Sequence, residues 1–317
     1  MKISVVIVSW NAKAFLLKCI DSIISQRGAD SLEIVVVDNA SKDGSPEAVK
    51  ANYPQVKLIA NDDNYGFAKA NNIGIRVTTG DYLFLINSDV VVSEGCFAKT
   101  MRYMDEHPEI GMLGPKIVGQ DGNVQRSCMG YPSLWSVLCR ALALDSLFPR
   151  SKLFGSHLLT YWDHNDTRPV EVINGCFWVV RRTAMEQVGL LDERFFIYAE
   201  DIDWSKRFNE GGWQVVFFSE AEALHYGGAS SSNAPIRFDI EAQRASYQYW
   251  QKHHSRVTVL CFLLISLLHH SLRIIGGLAT YPLQQRKSAS IYKIKRAVAS
   301  IRWIVGPATS HPEKARG

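Results

Sequence analysis

Three groups of small acidic and amide side chains stand out by type and spacing. Asn87-Ser88-Asp89 closes the apolar run Tyr82-Leu83-Phe84-Leu85-Ile86. Glu200-Asp201-Ile202-Asp203 crowds three carboxylates into four residues, with Trp204 next. Asp38-Asn39-Ala40-Ser41-Lys42-Asp43 follows Ile34-Val35-Val36-Val37. Such carboxylates can hold a divalent cation, or take a proton from a hydroxyl once crowding has raised a pKa. The plainer readings are a turn with a helix cap at Ser93-Glu94 for the first group, and acids complementing a helix dipole for the second. His225, in Leu224-His225-Tyr226-Gly227-Gly228, adds an imidazole that is either structural or a ligand.

The elements that must position these groups alternate in type. Residues 3–8, 34–37, 56–59 and 82–86 are short, mostly β-branched or apolar runs that predict strands. Between them come helical patterns: Phe15, Leu16, Cys19, Ile20, Ile23 and Ile24 share one face, and Ser45-Pro46-Glu47 is a helix start. Asn64-Tyr65-Gly66-Phe67 leads into a third helix ending near Arg76. Strand and helix in alternation with short connections mean an α/β fold built on a parallel, doubly wound sheet. Three of the four strands end in polar clusters, the first at Ser9-Trp10-Asn11. Parallel pairing puts those ends on one edge, where open α/β sheets bind ligands.

Further along, the pattern predicts a helix over 94–107, a strand over 110–118 and a hairpin turn at 119–123. Residues 134–148 are apolar at helical spacing, either a core helix or a surface that meets membrane or a lipid-linked substrate. Strands over 170–173 and 177–180 flank Asn174-Gly175-Cys176, whose glycine signals a bend or close approach of a ligand. A helix then runs to Gly211-Gly212, and a last strand covers 215–218.

Composition narrows the function classes. The 317 residues are enough for one or two domains, and the net charge of +4 is unevenly placed. From Arg286 onward eight Lys/Arg face a single acid, Glu313, so the rest of the chain is mildly acidic. That distribution excludes a nucleic-acid-coating protein and suits an anionic membrane surface. Six scattered cysteines without a CxxC pair fit a reducing compartment, with neither a disulfide framework nor a zinc site. The N-terminal residues do not read as a signal peptide. There is no GxGxxG after the first strand, no P-loop and no GxSxG elbow.

Taken in order, the motifs VVIVSWNA, VVVDNASKDGS, NYGFAKANNIGI, LINSDV, NGCFWVVRR, GLLDERFFIYAEDIDWSKR and HYGG resemble those of inverting family 2 glycosyltransferases with the GT-A fold. The bacterial rhamnosyltransferase-like branch is the nearest, and the resemblance spans about residues 1 to 235. It implies a nucleotide-sugar site lined by Ser9, Trp10, Asn11, Asp38, Asn39, Asn64, Gly66, Phe67, Asn87 and Ser88, with Asp38 accepting the N3–H of uracil or thymine. Asn87-Ser88-Asp89 takes the place of the DxD metal motif, with Asn where the first Asp is usual. Asp89 and His225 are thereby implied as ligands of Mg²⁺ or Mn²⁺. Asp201 is implied as the base, Glu200 and Asp203 as second candidates, and Gly175 and Trp204 as acceptor contacts.

The implied donor is a nucleotide-diphosphate sugar, dTDP-rhamnose by analogy or a UDP-sugar in the alternative. The implied acceptor is polyprenyl-diphosphate-linked or polysaccharide. A nucleotidyltransferase or a non-catalytic carbohydrate-binding relative are the rivals; the first lacks a glycine-rich triphosphate loop at SWNAKAF. The expected division is a catalytic domain over 1–235, its donor half 1–118 and acceptor half 119–235, then a helical membrane-associating region over 236–317. In that region 257–268 carries no charge, and His269-His270-Ser271 and Arg273 interrupt it before 274–281. About 20 apolar residues span a bilayer. The break favours a helix lying in the interface over one that crosses, followed by a basic amphipathic helix with Ile291, Ile294, Val298 and Ile301 on its apolar face. The expected location is the cytoplasmic face of the plasma membrane, held peripherally by these helices.

Overall fold

The structure is a computed structural model that describes residues 2–26, 31–227, 235–282 and 287–306. Gly228 and the basic residues Arg286, Lys314 and Arg316 lie outside the described residues. The chain begins as β1 (Lys2–Ser9), α1 (Lys13–Ile24), β2 (Ser31–Asp38), α2 (Ser45–Asn52), β3 (Lys57–Ala60), α3 (Phe67–Ile75), β4 (Tyr82–Asn87) and β5 (Val90–Val92). It continues through α4 (Cys96–Glu106), β6 (Ile110–Val118), β7 (Val124–Gln125), β8 (Cys128–Met129), α5 (Leu134–Ala141), α6 (Leu144–Leu147), β9 (Arg168–Pro169), β10 (Val172–Ile173) and β11 (Phe177–Arg181). Last come α7 (Arg182–Val188), α8 (Glu200–Glu210), β12 (Gln214–His225), α9 (Pro235–His253), α10 (Arg256–Thr280) and α11 (Lys287–Val305).

The main sheet has the order β3-β2-β1-β4-β11-β6-β12-β5. β1 is parallel to both β2 and β4, in the α/β arrangement that alternation demands. β11 enters antiparallel between β4 and β6, so the sheet is mixed there. β4 is buried along its length except at Asn87, as a charge-free central strand should be. Phe84 on β4, Phe97 on α4 and Phe177 on β11 pack ring to ring, with centroids 4.2 Å and 6.2 Å apart from Phe84. Arg181 at the end of β11 donates to the carbonyls of Met104 (2.5 Å), His107 (3.3 Å) and Ile110 (3.0 Å). It thereby satisfies backbone groups left over where α4 stops.

The last strand departs from expectation. β12 does not stop at Phe218 but runs on to His225, with a register shift against β6 between Phe218 and Glu222. The shift absorbs Ser219-Glu220-Ala221, whose polarity hides the strand in the sequence. Beyond it β12 pairs with β5, His225 opposite Val90. The expected single helix over 134–148 is also two, because Ala143 adopts φ +57° between α5 and α6.

The chain folds as two compact units. One comprises Met1–Tyr131 and Asp163–Ser232 and contains the sheet. The other comprises Pro132–Trp162 and Asn233–Gly317. Residues 132–162, grouped by sequence with the acceptor half, fold instead with the C-terminal helices, where α5 packs on α10. Within that unit α10 is an unbroken helix of 25 residues through His269-His270-Ser271 and Arg273. It is long and apolar enough to cross a membrane by length and composition. Val257, Leu260, Leu264, Leu268, Leu272 and Ile275 recur every three or four residues and are all exposed, Val257 at 72%. Trp135, Leu147 and Phe148 are exposed in the same unit.

Gly66, at the start of α3, has φ +81° and ψ 178°, a region closed to side chains. A Cβ there would stand 2.3 Å from the Phe196 carbonyl oxygen, which accepts the Phe67 N–H at 2.6 Å. Gly66→Ala is therefore expected to lower unfolding free energy by at least about 1–3 kcal/mol, read from urea denaturation against wild type.

Candidate active site

The parallel register places polar strand ends side by side. Ser9 pairs with Asp38 across β1 and β2, and Val8 with Asn87 across β1 and β4. Ser9 Oγ and Asp38 Oδ1 are buried with no partner, while Asp38 Oδ2 accepts the Ser41 N–H at 2.8 Å. Burial pushes the Asp38 pKa up, against the hydrogen bonds from Ser41. An acceptor and a hydroxyl left unsatisfied at such an edge are what a ligand would complete.

Neighbouring side chains spend their polarity on the loops. Asn11, at φ +50°, receives the Lys42 N–H at 2.7 Å and gives its own N–H to Ser41 Oγ at 2.8 Å. Asn39 donates to the Gly66 carbonyl at 3.2 Å and accepts from Asn61 at 2.9 Å. Asn64 Oδ1 accepts the Gly66 N–H at 3.0 Å. These three brace the loops, whereas Ser9 Oγ and Asp38 Oδ1 stay buried without a partner. Trp10 is half-buried at the same edge, and Phe67 stands edge-on to Trp178 at 6.1 Å.

The second cluster joins β4 to β12. Ser88 and Asp89 are buried, and the Asp89 carbonyl accepts the Tyr226 N–H at 3.0 Å. Asp89 Oδ1 lies 3.3 Å from His225 Nε2. The other ring nitrogen, Nδ1, is 2.9 Å from Gln125 Oε1, and Gln125 Nε2 donates to the His225 carbonyl at 2.9 Å. With the amide oriented by that second bond, Nδ1 must carry the proton that Oε1 accepts, leaving the Nε2 lone pair beside a carboxylate. Two lone pairs that close repel unless a cation or a proton sits between them. Asp89 and His225 thus fit a divalent cation as an oxygen and a nitrogen ligand, with further positions free for phosphate oxygens or water. Among the described residues no group of three or more His, Cys, Asp or Glu stands together as a metal site. Gln125 is a residue that sequence reasoning missed; a glutamine in a two-residue strand gives no signal of its own.

The acidic group opens α8, after two residues in the left-handed region, Tyr198 at φ 72° and Ala199 at φ 62°. Neither is a glycine, so backbone strain is concentrated where Glu200 and Asp201 are presented. Glu200 is buried and its Oε2 has no partner. Burial, and then the Asp201 charge, hold its pKa well above the usual carboxylate range. Burial likewise raises Asp201, to about 6, against hydrogen bonds from the backbone of Ile202 and Gly175. Asp201 is therefore ionised at neutral pH and still basic enough to take a proton.

The turn Asn174-Gly175-Cys176 gathers these parts. The Cys176 carbonyl accepts the Asn87 N–H at 3.0 Å. The Cys176 thiol is pushed up to about 12 by burial and by the charges of Asp89 and Asp201, so both carboxylates lie within Coulombic reach of one side chain. A Cβ on Gly175 would be tight, meeting the rings of Trp178 at 3.0 Å and Phe67 at 3.3 Å. Asn174 Oδ1 is a further buried atom without a partner. Asn72, also missed, donates to the Leu191 carbonyl (2.9 Å) and Glu193 Oε1 (3.0 Å) and accepts the Leu191 N–H (3.1 Å), tethering the loop that leads to Asp201.

Two expected site residues take part in the packing of α8. Asp203 is fully buried, with its Oδ2 3.0 Å from Arg207 Nε. Arg207 in turn donates to the carbonyls of Val188 and Leu190, so the pair ties α8 to the preceding loop. Trp204 is also fully buried. It is wedged against Trp178 and Phe208 at 5.4 and 5.3 Å, and its Nε1 donates to the Gly189 carbonyl at 2.9 Å. It supports α8 from inside and offers no face to an acceptor.

Residues 4–189 match the model of glycosyl transferase family 2, and the chain belongs to that family of enzymes. An N-acetylglucosaminyl-diphospho-decaprenol L-rhamnosyltransferase of Mycobacterium tuberculosis is 30% identical over 235 residues, covering 71% of this chain and 76% of that protein. The O-antigen biosynthesis protein RfbC of Myxococcus xanthus is 24% identical over 78% of this chain, which spans 19% of its length. Among solved structures, the mannosyltransferase PcManGT of Pyrobaculum calidifontis in complex with GDP-Man and Mn²⁺ aligns with a TM-score of 0.58 at 16% identity, over 96% of this chain and 87% of that one. The fold is the GT-A fold, with its α/β sheet.

Roles separate by stability. Asp203→Ala, which removes the buried partner of the half-buried Arg207, is expected to cost about 1–3 kcal/mol. Asp201→Asn should unfold within about 0.5 kcal/mol of wild type, both read by urea denaturation.

Proposed function

We propose that the enzyme transfers L-rhamnose from dTDP-rhamnose, with inversion, to a sugar carried on a polyprenyl diphosphate at the cytoplasmic face of the plasma membrane. The observation that carries the reading is the pair of unpartnered buried atoms, Asp38 Oδ1 and Ser9 Oγ, at the edge of a family 2 sheet. A carboxylate oxygen there accepts the N3–H of thymine or uracil and has no such donor in cytosine. The rhamnosyl donor and lipid-linked acceptor are taken from the printed activity of the mycobacterial relative.

Asp89 and His225 would hold Mg²⁺ or Mn²⁺, a Lewis acid that stabilises the departing diphosphate. Gln125 holds His225 in the tautomer that leaves Nε2 available. The acceptor hydroxyl gives its proton to Asp201, whose pKa of about 6 matches that task. Glu200 stands beside Asp201 with its pKa raised by burial and by the Asp201 charge. One base on the face opposite the leaving group inverts the anomeric centre without an enzyme nucleophile. The exposed apolar stripe of α10, with Trp135 and Phe148, supports seating on the membrane surface, and Lys293, Lys295 and Arg302 of α11 add attraction to anionic lipid.

A panel of dTDP-, UDP- and GDP-sugars, assayed for transfer and slow donor hydrolysis with Mn²⁺, tests the donor. Turnover with dTDP-rhamnose above all others is expected; preference for a UDP-sugar would move the protein to that alternative. Because Asp201 works ionised, kcat/KM should climb about tenfold per pH unit below about 6 and level off above it. Asp201→Asn should abolish transfer and keep donor binding; wild-type turnover in that variant would remove Asp201 from the role. Gln125→Leu frees the imidazole and is expected to weaken Mn²⁺ binding in the presence of dTDP by about 10–100-fold, measured by titration calorimetry.

A further inference from the structure

The polar break in α10 is not solvated at random. Phe262, Ser266 and Gly277 are the buried positions of this helix, and His270 and Arg273 fall in the same row at helical spacing. His270 is half-buried and Arg273 is exposed to solvent, both on the side of α10 away from the exposed apolar stripe. Three guanidinium groups from three helices lie within Coulombic reach there: Arg140 of α5, Arg273 of α10 and Arg296 of α11. Two carboxylates are near, and both are occupied. Asp145 pairs with Arg140 at 2.6 Å and Asp239 with Arg296 at 2.5 Å.

Arg273 is left over. Among the described residues its hydrogen bonding is confined to Nε, which donates to His269 Nε2 at 2.8 Å. His269 is held in turn by the backbone of Arg140, and desolvation followed by the charge of Arg273 lowers its pKa to about 4. His270 Nε2 meets Gln243 Oε1 at 3.3 Å, and its other nitrogen and Gln243 Nε2 are buried without partners. Burial and the charges of Arg296 and Arg140 lower the Arg273 pKa. The cluster thus carries three cations against two anions, and its histidines, being neutral, add no charge. The fork of Arg273 remains free, and a forked guanidinium matches phosphate oxygens.

We infer that Arg273, flanked by Arg140 and Arg296, binds the diphosphate of the lipid-linked acceptor. The depth is right for it. An interfacial helix sinks its apolar face about 5–10 Å into the headgroup and acyl boundary. The opposite side of a helix about 10 Å across then stands at the level of lipid phosphates. The inference rests on the reading of the acceptor as a polyprenyl diphosphate.

The test uses the full chain and three kinds of phosphatidylcholine vesicle: plain, carrying undecaprenyl diphosphate, or carrying phosphatidylglycerol at matched charge. Wild type should bind the diphosphate vesicles about tenfold more tightly than the phosphatidylglycerol ones, the worth of a charge-assisted hydrogen bond. Arg273→Gln should erase that difference while keeping binding to plain vesicles, dTDP binding and the thermal midpoint, and Arg273→Lys should restore part of it. Equal wild-type affinity for the two anionic lipids, or an unchanged preference in Arg273→Gln, would overturn the site. Arg273-dependent binding of inorganic pyrophosphate that matches the vesicle affinity would overturn its assignment to a lipid. If the preference holds while no sugar reaches a lipid acceptor, the proposed function fails and the anion site stands. If transfer proceeds with no diphosphate preference, this inference alone fails.

Discussion

The antiparallel entry of β11 between β4 and β6 is the constraint on which the site depends. A purely parallel sheet would align the ends of β1, β2 and β4 and nothing more. Running β11 the other way places the turn before it, Asn174-Gly175-Cys176, at the same edge where β4 ends. The backbone bond from Asn87 to Cys176 locks the two together. The turn then reaches Asp201 through Gly175 and Phe67 through Trp178, so the donor-side loops and the acidic helix share one anchor. The anchor is stiff because its underside is the buried ladder Trp178, Trp204 and Phe208.

Polar groups around this edge divide into two kinds. Asn11, Asn39, Asn64 and Asn72 use side-chain hydrogen bonds to brace the loops. Ser9, Asp38, Asn174 and Glu200 each keep a buried atom without a partner. A fold that satisfied all of them would be more stable and would have nothing left with which to recognise a ligand. Left-handed backbone at Asn11, Ala40, Tyr198 and Ala199 falls in the same loops. Asp201 illustrates the result: its raised pKa comes from burial, which only a packed surrounding can impose.

The sequence makes the Rossmann-like half legible because its signals are local. Charge-free β-branched runs, Ser45-Pro46 and the asparagines after each strand follow from periodicity and turn chemistry. What escaped depends on pairing at long range. The continuation of β12 to His225 is set by β5 and β6 across a register shift, and Gln125 gains its role from a histidine a hundred positions away. The acidic helix is legible in the sequence as a cluster, but the surroundings of each carboxylate are not. Helical geometry buries Glu200, Asp203 and Trp204 and leaves Asp201 half-buried, a distinction that spacing alone does not carry. The break in α10 read as an interruption; in the structure the helix continues through it, with His270 meeting Gln243 of α9.

The unit that holds α10 also takes residues 132–162 from the middle of the chain, between β8 and β9. The polypeptide therefore leaves the sheet-bearing unit, returns to complete it with β9 to β12, and leaves again. A unit threaded in this way is not an appendage that a single cut could remove. Cleavage after β12 would free α9, α10 and α11 yet leave α5 behind with its packing face bare. The two units are thus inherited together, and any exchange of one between relatives must splice the chain at both ends of the insert as well as after β12.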